Sequence, residues 1–173
     1  KPTSIERDIF PGMAEDGNLF AMVLPGYWMD IGQPHDYLTG MCLHLSSLRE
    51  HTPDVLAEGD AFKGDVIIHP SATIGDGCVI GPNVVIGPDC IIGNGVRIKR
   101  TTLLAGVTVD SHTWVSDSIV GWGSRIGQWC RLEGISVLGE DVAVKEGICI
   151  NGAKILPHKG IKESIYVPGT IVM

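Results

Sequence analysis

The sequence has 173 residues and a formal charge of −7, from 20 acidic against 13 basic residues. This length suits one ordinary domain, or one domain joined to a fragment of another. The acidic balance argues against nucleic acid and anionic membranes as partners, and no apolar run reaches the roughly 18 to 20 residues that span a bilayer. We therefore expect a soluble, cytoplasmic protein. The chain begins at Lys1 and not at a methionine, so we expect that an N-terminal portion precedes it in the parent protein.

Residues 1–51 carry the signals of short helices and strands. Thr3 to Glu6 has the T-x-x-E form of a capping box, which predicts a helix that Pro11 ends. Apolar runs predict strands at Leu19–Leu24 and Tyr27–Ile31, with a Pro-Gly turn between them.

A second helix is predicted to begin at Pro34, because proline suits the first turn of a helix. Apolar residues then recur at helical spacing at Leu38, Met41, Cys42, Leu45 and Leu48. Residues 52–64 are interpreted as a linker. Because two strands and two helices are too few for a domain, we interpret residues 1–51 as the C-terminal remnant of an α/β domain.

The five cysteines form no Cys-x-x-Cys pair and no metal-finger spacing. Their odd number argues against a disulfide framework, which needs pairs. We predict that they are small core residues: Cys42, Cys78, Cys90, Cys130 and Cys149.

An aliphatic residue recurs about every six positions from Ile68 onward. A glycine often follows it, and a small or β-branched residue often stands four positions after it. The period shortens to five residues twice, before Val109 and before Val120. The aliphatic positions are Ile68, Ile74, Ile80, Ile86, Ile92, Ile98, Leu104, Val109, Val115, Val120, Ile126, Leu132, Leu138, Val144, Ile150 and Leu156.

Six-residue steps fit neither a helix of 3.6 residues per turn nor a hairpin, but they fit a coil with three flat faces. We predict a mainly β fold: a left-handed parallel β-helix of hexapeptide repeats at residues 65–160, followed by a C-terminal tail at residues 161–173. Each aliphatic side chain would point into the prism, where burial contributes about 1.5 to 3 kcal/mol.

The segment GYWMDIGQP, Gly26–Pro34, departs from this repeat because it places a carboxylate, Asp30, between Met29 and Ile31. An isolated carboxylate in an apolar strand costs several kcal/mol unless it is paired or meets a cation. Asp30 is therefore a candidate site residue. The alternative is a strand-end carboxylate that caps the Gly32–Pro34 turn.

The run GYWMDIGQPHDYLTG, a long helix, hexapeptide repeats that end in ILPHK, and a final IVM resemble the C-terminal half of eukaryotic mannose-1-phosphate guanylyltransferases. The similarity covers essentially the whole chain and is greatest to the catalytic β-type subunits. The resemblance implies a parent enzyme that makes GDP-mannose and pyrophosphate from GTP and mannose 1-phosphate. It also implies that residues 1–51 are the remnant of the nucleotidyltransferase domain.

In this family the aspartate at the position of Asp30 is one of two carboxylates that hold Mg²⁺ on the nucleotide phosphates. The resemblance therefore implies Mg²⁺ as cofactor, with Asp30 as a metal ligand and substrate-binding residue. Trp28 or Tyr27 would flank the sugar or the base, but at most one of them can, because neighbouring strand residues face opposite sides. We name Trp28 as this candidate substrate-binding residue and expect the other aromatic residue to pack in the core. The glycine-rich phosphate loop and the lysines of the family are absent from this sequence, so we assign no catalytic residue and expect this chain alone to be inactive.

Two other functions stay open. The parent could be a non-catalytic regulatory paralogue that senses GDP-mannose, although Asp30 argues against this. Hexapeptide-repeat acyltransferases use the same prism and a histidine base, and His112 lies where the period shortens. However, no long loop interrupts the coils near His112, and this interpretation leaves Gly26–Pro34 unexplained.

Three tryptophans, Trp114, Trp122 and Trp129, fall outside the inward positions of the repeat. Such a group of outward tryptophans is typical of an interface. We predict that the prism mediates self-association, as a homo-oligomer, or pairing with a related regulatory subunit. The alternative is that these side chains pack under the helix that begins at Pro34.

Overall fold

The computed structural model describes residues 2–173. Its architecture is mainly parallel β, a β-helix of stacked coils with a small helical region in front of it. The helical elements are a π-helical turn at Ile5–Ile9, helix α1 at Phe10–Glu15, helix α2 at Pro34–His51 and a 3₁₀ turn at Pro53–Val55. None of the helices in residues 2–173 has the length and apolarity needed to cross a membrane.

The N-terminal helical segment differs from its prediction at both ends. Ser4, and not Thr3, is the N-cap, and its Oγ accepts a hydrogen bond from the Arg7 amide at 3.3 Å. The Asp8 carboxylate accepts a hydrogen bond of 2.8 Å from the Ser4 amide. Asp8 therefore supplies the reciprocal contact of the capping box. Pro11 does not end the helix but lies in the first turn of α1, where its missing amide costs no hydrogen bond.

The strands predicted at Leu19–Leu24 and Tyr27–Ile31 are absent, because residues 18–33 contain neither helix nor strand. Their apolar side chains are largely exposed, with Phe20 at 87%. A strand needs hydrogen-bonding partners beside it, and no strand within residues 2–173 pairs with this segment. The prediction of two strands is therefore wrong for this chain.

Helix α2 begins at Pro34, as predicted, and covers one outer face of the β-helix. Apolar residues that point out of a β-helix need a cover, and burial of each side chain under α2 contributes about 1.5 to 3 kcal/mol. At the C-terminal end of α2, Arg49 forms an ion pair with Asp65. The contacting side chains are Leu38, Met41 and Leu45 of α2 with Ile67, Val85 and Ile119 of the β-helix.

The described residues contain sixteen short strands. These are β1 Val66–Ile68, β2 Thr73–Ile74, β3 Val79–Ile80, β4 Val84–Ile86, β5 Ile91–Ile92, β6 Arg97–Leu103, β7 Thr108–Val109, β8 Trp114–Val120, β9 Arg125–Ile126, β10 Arg131–Glu133, β11 Ser136–Leu138, β12 Ala143–Val144, β13 Cys149–Asn151, β14 Lys154–Ile155, β15 Gly160–Ile161 and β16 Ile171–Val172.

Within residues 2–173 the strands form two parallel sheets. A six-stranded sheet, ordered β2-β5-β7-β9-β12-β15 from one edge to the other, makes one face of the prism. A ten-stranded sheet makes the other two faces, because β6 and β8 are each seven residues long and turn the corner between them. One coil takes 17 or 18 residues: Ile80 pairs with Ile98, 18 positions on, and Ile98 pairs with Val115, 17 positions on.

The aliphatic positions predicted to point inward lie in the core or pack against it, with two exceptions. Leu103 takes the inward place predicted for Leu104, and Ile155 takes that predicted for Leu156, which is 44% exposed. The spacing could not choose between adjacent apolar residues. For Leu103 the choice is made at the corner in β6, where Arg100 has a φ of 43° and the turn uses one residue fewer.

Small side chains at the corners tie successive coils together. The thiols of Cys78, Cys90 and Cys130 donate hydrogen bonds of 3.1, 3.0 and 2.9 Å to carbonyl oxygens in the next coil. Ser124 does the same at 2.9 Å. Burial raises the pKa of the Cys90 and Cys130 thiols, which keeps them protonated as donors. The prediction of small core residues is confirmed for these three cysteines, whereas the other two are partly buried.

Candidate functional site

Asp30 lies in an exposed loop that leads into α2. Its Oδ1 accepts a hydrogen bond from the Gly32 amide at 3.0 Å, the capping contact that the alternative interpretation expects. The chain enters this loop through a bend in which Gly26 has a φ of 81°, a conformation that favours glycine. The carboxylate is thus exposed to solvent and held by a backbone amide, and it is not buried in a strand.

Two contacts hold the Asp30 loop on α2. A hydrogen bond of 2.6 Å joins Tyr27 Oη and His44 Nδ1. Ile31 packs against the helix at Gly40, where an added Cβ would lie 2.9 Å from Ile31 Cγ2, so a glycine at this position allows the close approach. Trp28 is 72% exposed. Of the two adjacent aromatic residues, Tyr27 therefore contacts α2 and Trp28 presents its ring to solvent.

An open cavity of about 450 Å³ lies between the loop, α2 and the first coils of the β-helix. Its walls are mostly apolar and include Met29, Tyr37 and Ile67. Asp30 and Trp28 do not line this cavity. The two candidate site residues are therefore neighbours on an exposed loop and do not share a closed pocket formed by residues 2–173.

Asp30 can serve as a single protein ligand for Mg²⁺. No group of three or more His, Cys, Asp or Glu side chains in the described residues is placed to hold a metal ion by itself. Mg²⁺ usually takes one or two carboxylates and completes its shell with phosphate oxygens and water. Since the only hydrogen bond of the Asp30 carboxylate within residues 2–173 is the Gly32 contact at Oδ1, the exposed side chain fits the part of one such carboxylate ligand.

Arg100 anchors α2 to the β-helix, a role that sequence analysis missed. Its guanidinium donates to Asp117 Oδ1 at 2.8 Å and to Thr39 Oγ1 of α2 at 3.2 Å. The hydrogen bond to Asp117 raises the pKa of Arg100, which keeps the guanidinium charged. Beside it, Thr102 Oγ1 donates to Met41 Sδ at 3.1 Å. The sequence offers no signal for these contacts, because Arg100 and Thr39 are 61 positions apart.

The three tryptophans lie on the outside of the β-helix, away from α2. Trp122 and Trp129 are 55% and 65% exposed. Trp114 is half-buried, and Arg131 Cζ lies 4.0 Å from its ring centroid. None of the three belongs to the cluster that α2 covers. The alternative in which they pack under this helix is therefore wrong.

His112 lies at a corner of the prism with a φ of 63°. Its ring stacks on Trp129, with the centroids 4.4 Å apart and the planes 22° apart. No side chain or backbone group within residues 2–173 is hydrogen-bonded to this ring. A catalytic histidine is normally oriented by a second polar partner, so the geometry does not favour His112 as an acyltransferase base.

The family described as "GMPPB C-terminal domain" matches residues 62–171. The chain is 57% identical over 172 residues to "Mannose-1-phosphate guanylyltransferase catalytic subunit beta" of Danio rerio. It is 58% identical over 174 residues to "Mannose-1-phosphate guanyltransferase" of Schizosaccharomyces pombe. These alignments cover 99% and 100% of the chain but 48% of each relative, so the chain spans about half the length of the curated relatives it matches.

Among solved structures, the chain is similar to a perosamine N-acetyltransferase from Caulobacter crescentus in complex with CoA and GDP-perosamine. The TM-score is 0.54 at 15% sequence identity, and the match covers 73% of this chain and 59% of that one. A likeness at this identity concerns the fold alone. It agrees with the predicted hexapeptide-repeat β-helix and carries nothing about ligands.

Proposed function

This chain belongs to the GMPPB C-terminal domain family, and from that membership we propose that it is the C-terminal part of a mannose-1-phosphate guanylyltransferase. The whole enzyme would join GTP and mannose 1-phosphate into GDP-mannose and release pyrophosphate. The observation that carries the proposal is the 57% identity to a relative named as the catalytic β subunit of that enzyme. Because this alignment spans 99% of the chain, it includes the Asp30 loop as well as the β-helix.

In the proposed reaction an oxygen of mannose 1-phosphate attacks the α-phosphorus of GTP, and pyrophosphate leaves. Both reactants are anions, and Mg²⁺ would offset the repulsion between them when bound. We propose Asp30 as one ligand of this ion. The exposure of its carboxylate and its single contact with the Gly32 amide support this role.

The remaining residues of the loop would position Asp30 and the substrate. Tyr27 and Ile31 hold the loop on α2, at His44 and Gly40. Trp28 offers an exposed flat ring, which suits packing against a sugar or a guanine base. Since Arg100 ties α2 to the β-helix, the position of the Asp30 loop would depend on the β-helix as well.

We further propose that the β-helix serves assembly, as a homo-oligomer or with a related regulatory subunit. The exposure of Trp122 and Trp129 supports this role, since exposed tryptophans are common anchors of protein interfaces.

We also propose a cytoplasmic location. The five cysteines are free in the described chain, which suits the reducing cytoplasm.

Pyrophosphate release by the complete parent protein tests the proposal, measured with Mg²⁺ across several nucleoside triphosphates and sugar 1-phosphates. Release that requires GTP and mannose 1-phosphate is the expected result. Release with another pair would keep the reaction class and overturn the substrates. No release with any pair would overturn the catalytic proposal in favour of a regulatory paralogue that senses GDP-mannose.

A further inference from the structure

One face of the β-helix carries a row of cations around a tryptophan. Arg97, Trp114 and Arg131 begin strands β6, β8 and β10 and occupy the same register position in three successive coils. Adjacent strands lie about 4.8 Å apart, so these side chains form a ladder about 10 Å long. Lys99 lies two residues after Arg97 in the same strand and therefore points from the same face.

This row is cationic in a chain whose overall charge is −7. Arg97 and Lys99 are exposed, and neither forms an ion pair with any residue from 2 to 173. Arg131 stacks over the Trp114 ring and donates to Glu133 at 2.9 Å. The cations Arg97 and Lys99 thus have no partner within the described chain to neutralise them.

An aromatic corner lies beside this row. His112 and Trp129 precede Trp114 and Arg131 by two residues, at corners with φ of 63° and 58°. Because both corners have the same backbone conformation in successive coils, the two rings stack with centroids 4.4 Å apart. Trp129 remains 65% exposed on the outer side of the stack. Positive charge and an exposed aromatic surface are therefore adjacent.

We propose that this cationic ladder, made of Arg97, Lys99, Trp114 and Arg131 with the His112–Trp129 stack beside it, binds an acidic segment of a partner protein. Carboxylates of the segment pair with the guanidinium and ammonium groups, and an apolar side chain at one end of the segment packs on Trp129. The inference rests on the assembly role proposed above, for which it identifies the face and the chemistry of the partner.

The geometry favours an acidic protein segment over other anions. Arg97 and Lys99 are alternate residues of β6, so an extended segment that lies along this strand can match their separation of about 6.6 Å with its own alternate side chains. Guanidinium groups pair well with carboxylates, and an exposed tryptophan is a frequent anchor for protein side chains. A long polyanion such as nucleic acid would extend beyond the ladder over a chain of charge −7 and be repelled, whereas a short segment meets the ladder alone.

The test is a binding titration of the 173-residue chain with a short fluorescent peptide of about six residues, two Glu-Glu-Tyr repeats. We expect binding at low salt that weakens at high salt. Arg97→Glu with Arg131→Glu should weaken it at least about tenfold, because like charges then face each other. Lys145→Glu with Lys154→Glu is the matched control, since both lysines are exposed elsewhere on the β-helix and the change in net charge is the same.

Three outcomes would overturn the inference: no binding of the peptide, an equal loss in the control variant, or equally tight binding of a single-stranded oligonucleotide of matched charge. Circular dichroism checks that the variants fold. If the Arg131 change disturbs the fold, Arg97→Glu with Lys99→Glu replaces it. The titration needs neither nucleotidyl transfer nor self-association, so its failure is distinguishable from a failure of the proposed function.

Discussion

Arg100 and Asp117 occupy equivalent corner positions in successive coils, and their side chains form an ion pair with Nη1 and Oδ1 2.8 Å apart. Their φ angles of 43° and 47° turn β6 and β8 around the same corner of the prism. The guanidinium also donates to Thr39 of α2. One group of contacts therefore joins two coils to the helix that follows the Asp30 loop.

Arg100→Leu should lower the free energy of unfolding by about 1.5 to 3 kcal/mol, the range for hydrogen bonds to charged groups. The two side chains are only 24% and 34% exposed, so water replaces the lost contacts poorly. Urea unfolding measures the change. Arg125→Leu is the matched control, because Arg125 pairs with Asp110 but is 66% exposed, and its loss should cost less than about 1 kcal/mol. Equal costs for the two variants would contradict the anchoring role.

Asp30→Asn in the complete parent protein should lower turnover at least roughly 100-fold, the scale for removing one group that stabilises developing charge. The fold should persist, because the asparagine Oδ1 can still accept the Gly32 amide. Pyrophosphate release as a function of Mg²⁺ concentration measures the effect, with thermal unfolding as a check on folding. Asp36→Asn, in the first turn of α2, is the control and should keep its activity. Full activity in Asp30→Asn would contradict the proposed role of this residue as a Mg²⁺ ligand.

If the β-helix serves assembly as proposed, Trp122→Ala combined with Trp129→Ala should reduce the mass that light scattering measures. The reason is that two side chains exposed by more than half in the single chain would lose the apolar surface they bury against a partner. Leu156→Ala is a control with an exposed apolar residue elsewhere on the β-helix, 44% exposed, and should leave the mass unchanged. An unchanged mass in the double variant would separate the tryptophans from assembly.

Gly127→Ala should lower the free energy of unfolding by about 1 to 3 kcal/mol, the usual cost of overpacking. An added Cβ would lie 2.6 Å from the Glu146 amide nitrogen and 2.8 Å from the Lys145 carbonyl carbon, and neither backbone atom can move without shifting its coil. In Gly160→Ala the added Cβ meets nothing within 4 Å, so this variant is the control and should fold with near-normal stability. Thermal or urea unfolding compares the two. A similar loss in both variants would point to glycine flexibility and not to coil spacing.

Stability should fall with pH above the ordinary thiol pKa of 9.0, because burial raises the pKa of Cys90 and Cys130. The unfolded chain releases these protons at a lower pH than the folded chain. The contribution is therefore fully present below pH 9.0 and is lost as pH rises through the folded pKa values. In that window each thiol lowers the free energy of unfolding by about 1.4 kcal/mol per pH unit.

Urea unfolding at several pH values between about 8 and 10 measures this slope. Cys90→Ser with Cys130→Ser is the control, because a hydroxyl donates in the same way as Ser124 does at its own corner but does not titrate. The variant should lose the part of the slope that the two thiols supply. Identical pH profiles for the variant and the unmodified chain would contradict the prediction.

The six-residue spacing was sufficient to predict the β-helix, since a period of that length suits flat faces joined by corners and little else. It predicted the shortening before Val120 correctly, but it placed the other one before Val109 where the structure has it before Leu103, and it missed a third before Ile155. Leu103 and Leu104 are equally apolar, and the corner at Arg100 decides which of them points inward. The same limit hides the contacts between coils, because Arg100 meets Asp117 and His112 meets Trp129 only when each coil has its true length.

The role of Asp30 stays a prediction, whereas the structure does show its surroundings. The composition of Gly26–Pro34 was enough to select Asp30, and the structure places this carboxylate on an exposed loop with one backbone contact. The expected strands were wrong because strand formation depends on partners and not on apolar pattern alone. The role of Gly40 had no sequence signal, because it depends on how closely Ile31 approaches α2.

Each coil advances the β-helix along its axis by one strand spacing, about 4.8 Å. Helix α2 packs on β6 and β8, whereas the exposed Trp129 corner begins the coil of β10. The distance along the axis between Arg100, which anchors α2, and the Trp129 corner is therefore a whole number of coils. Insertion or deletion of one complete coil between them would move the proposed partner by about 4.8 Å along the axis, and the partner would still meet the same face of the β-helix.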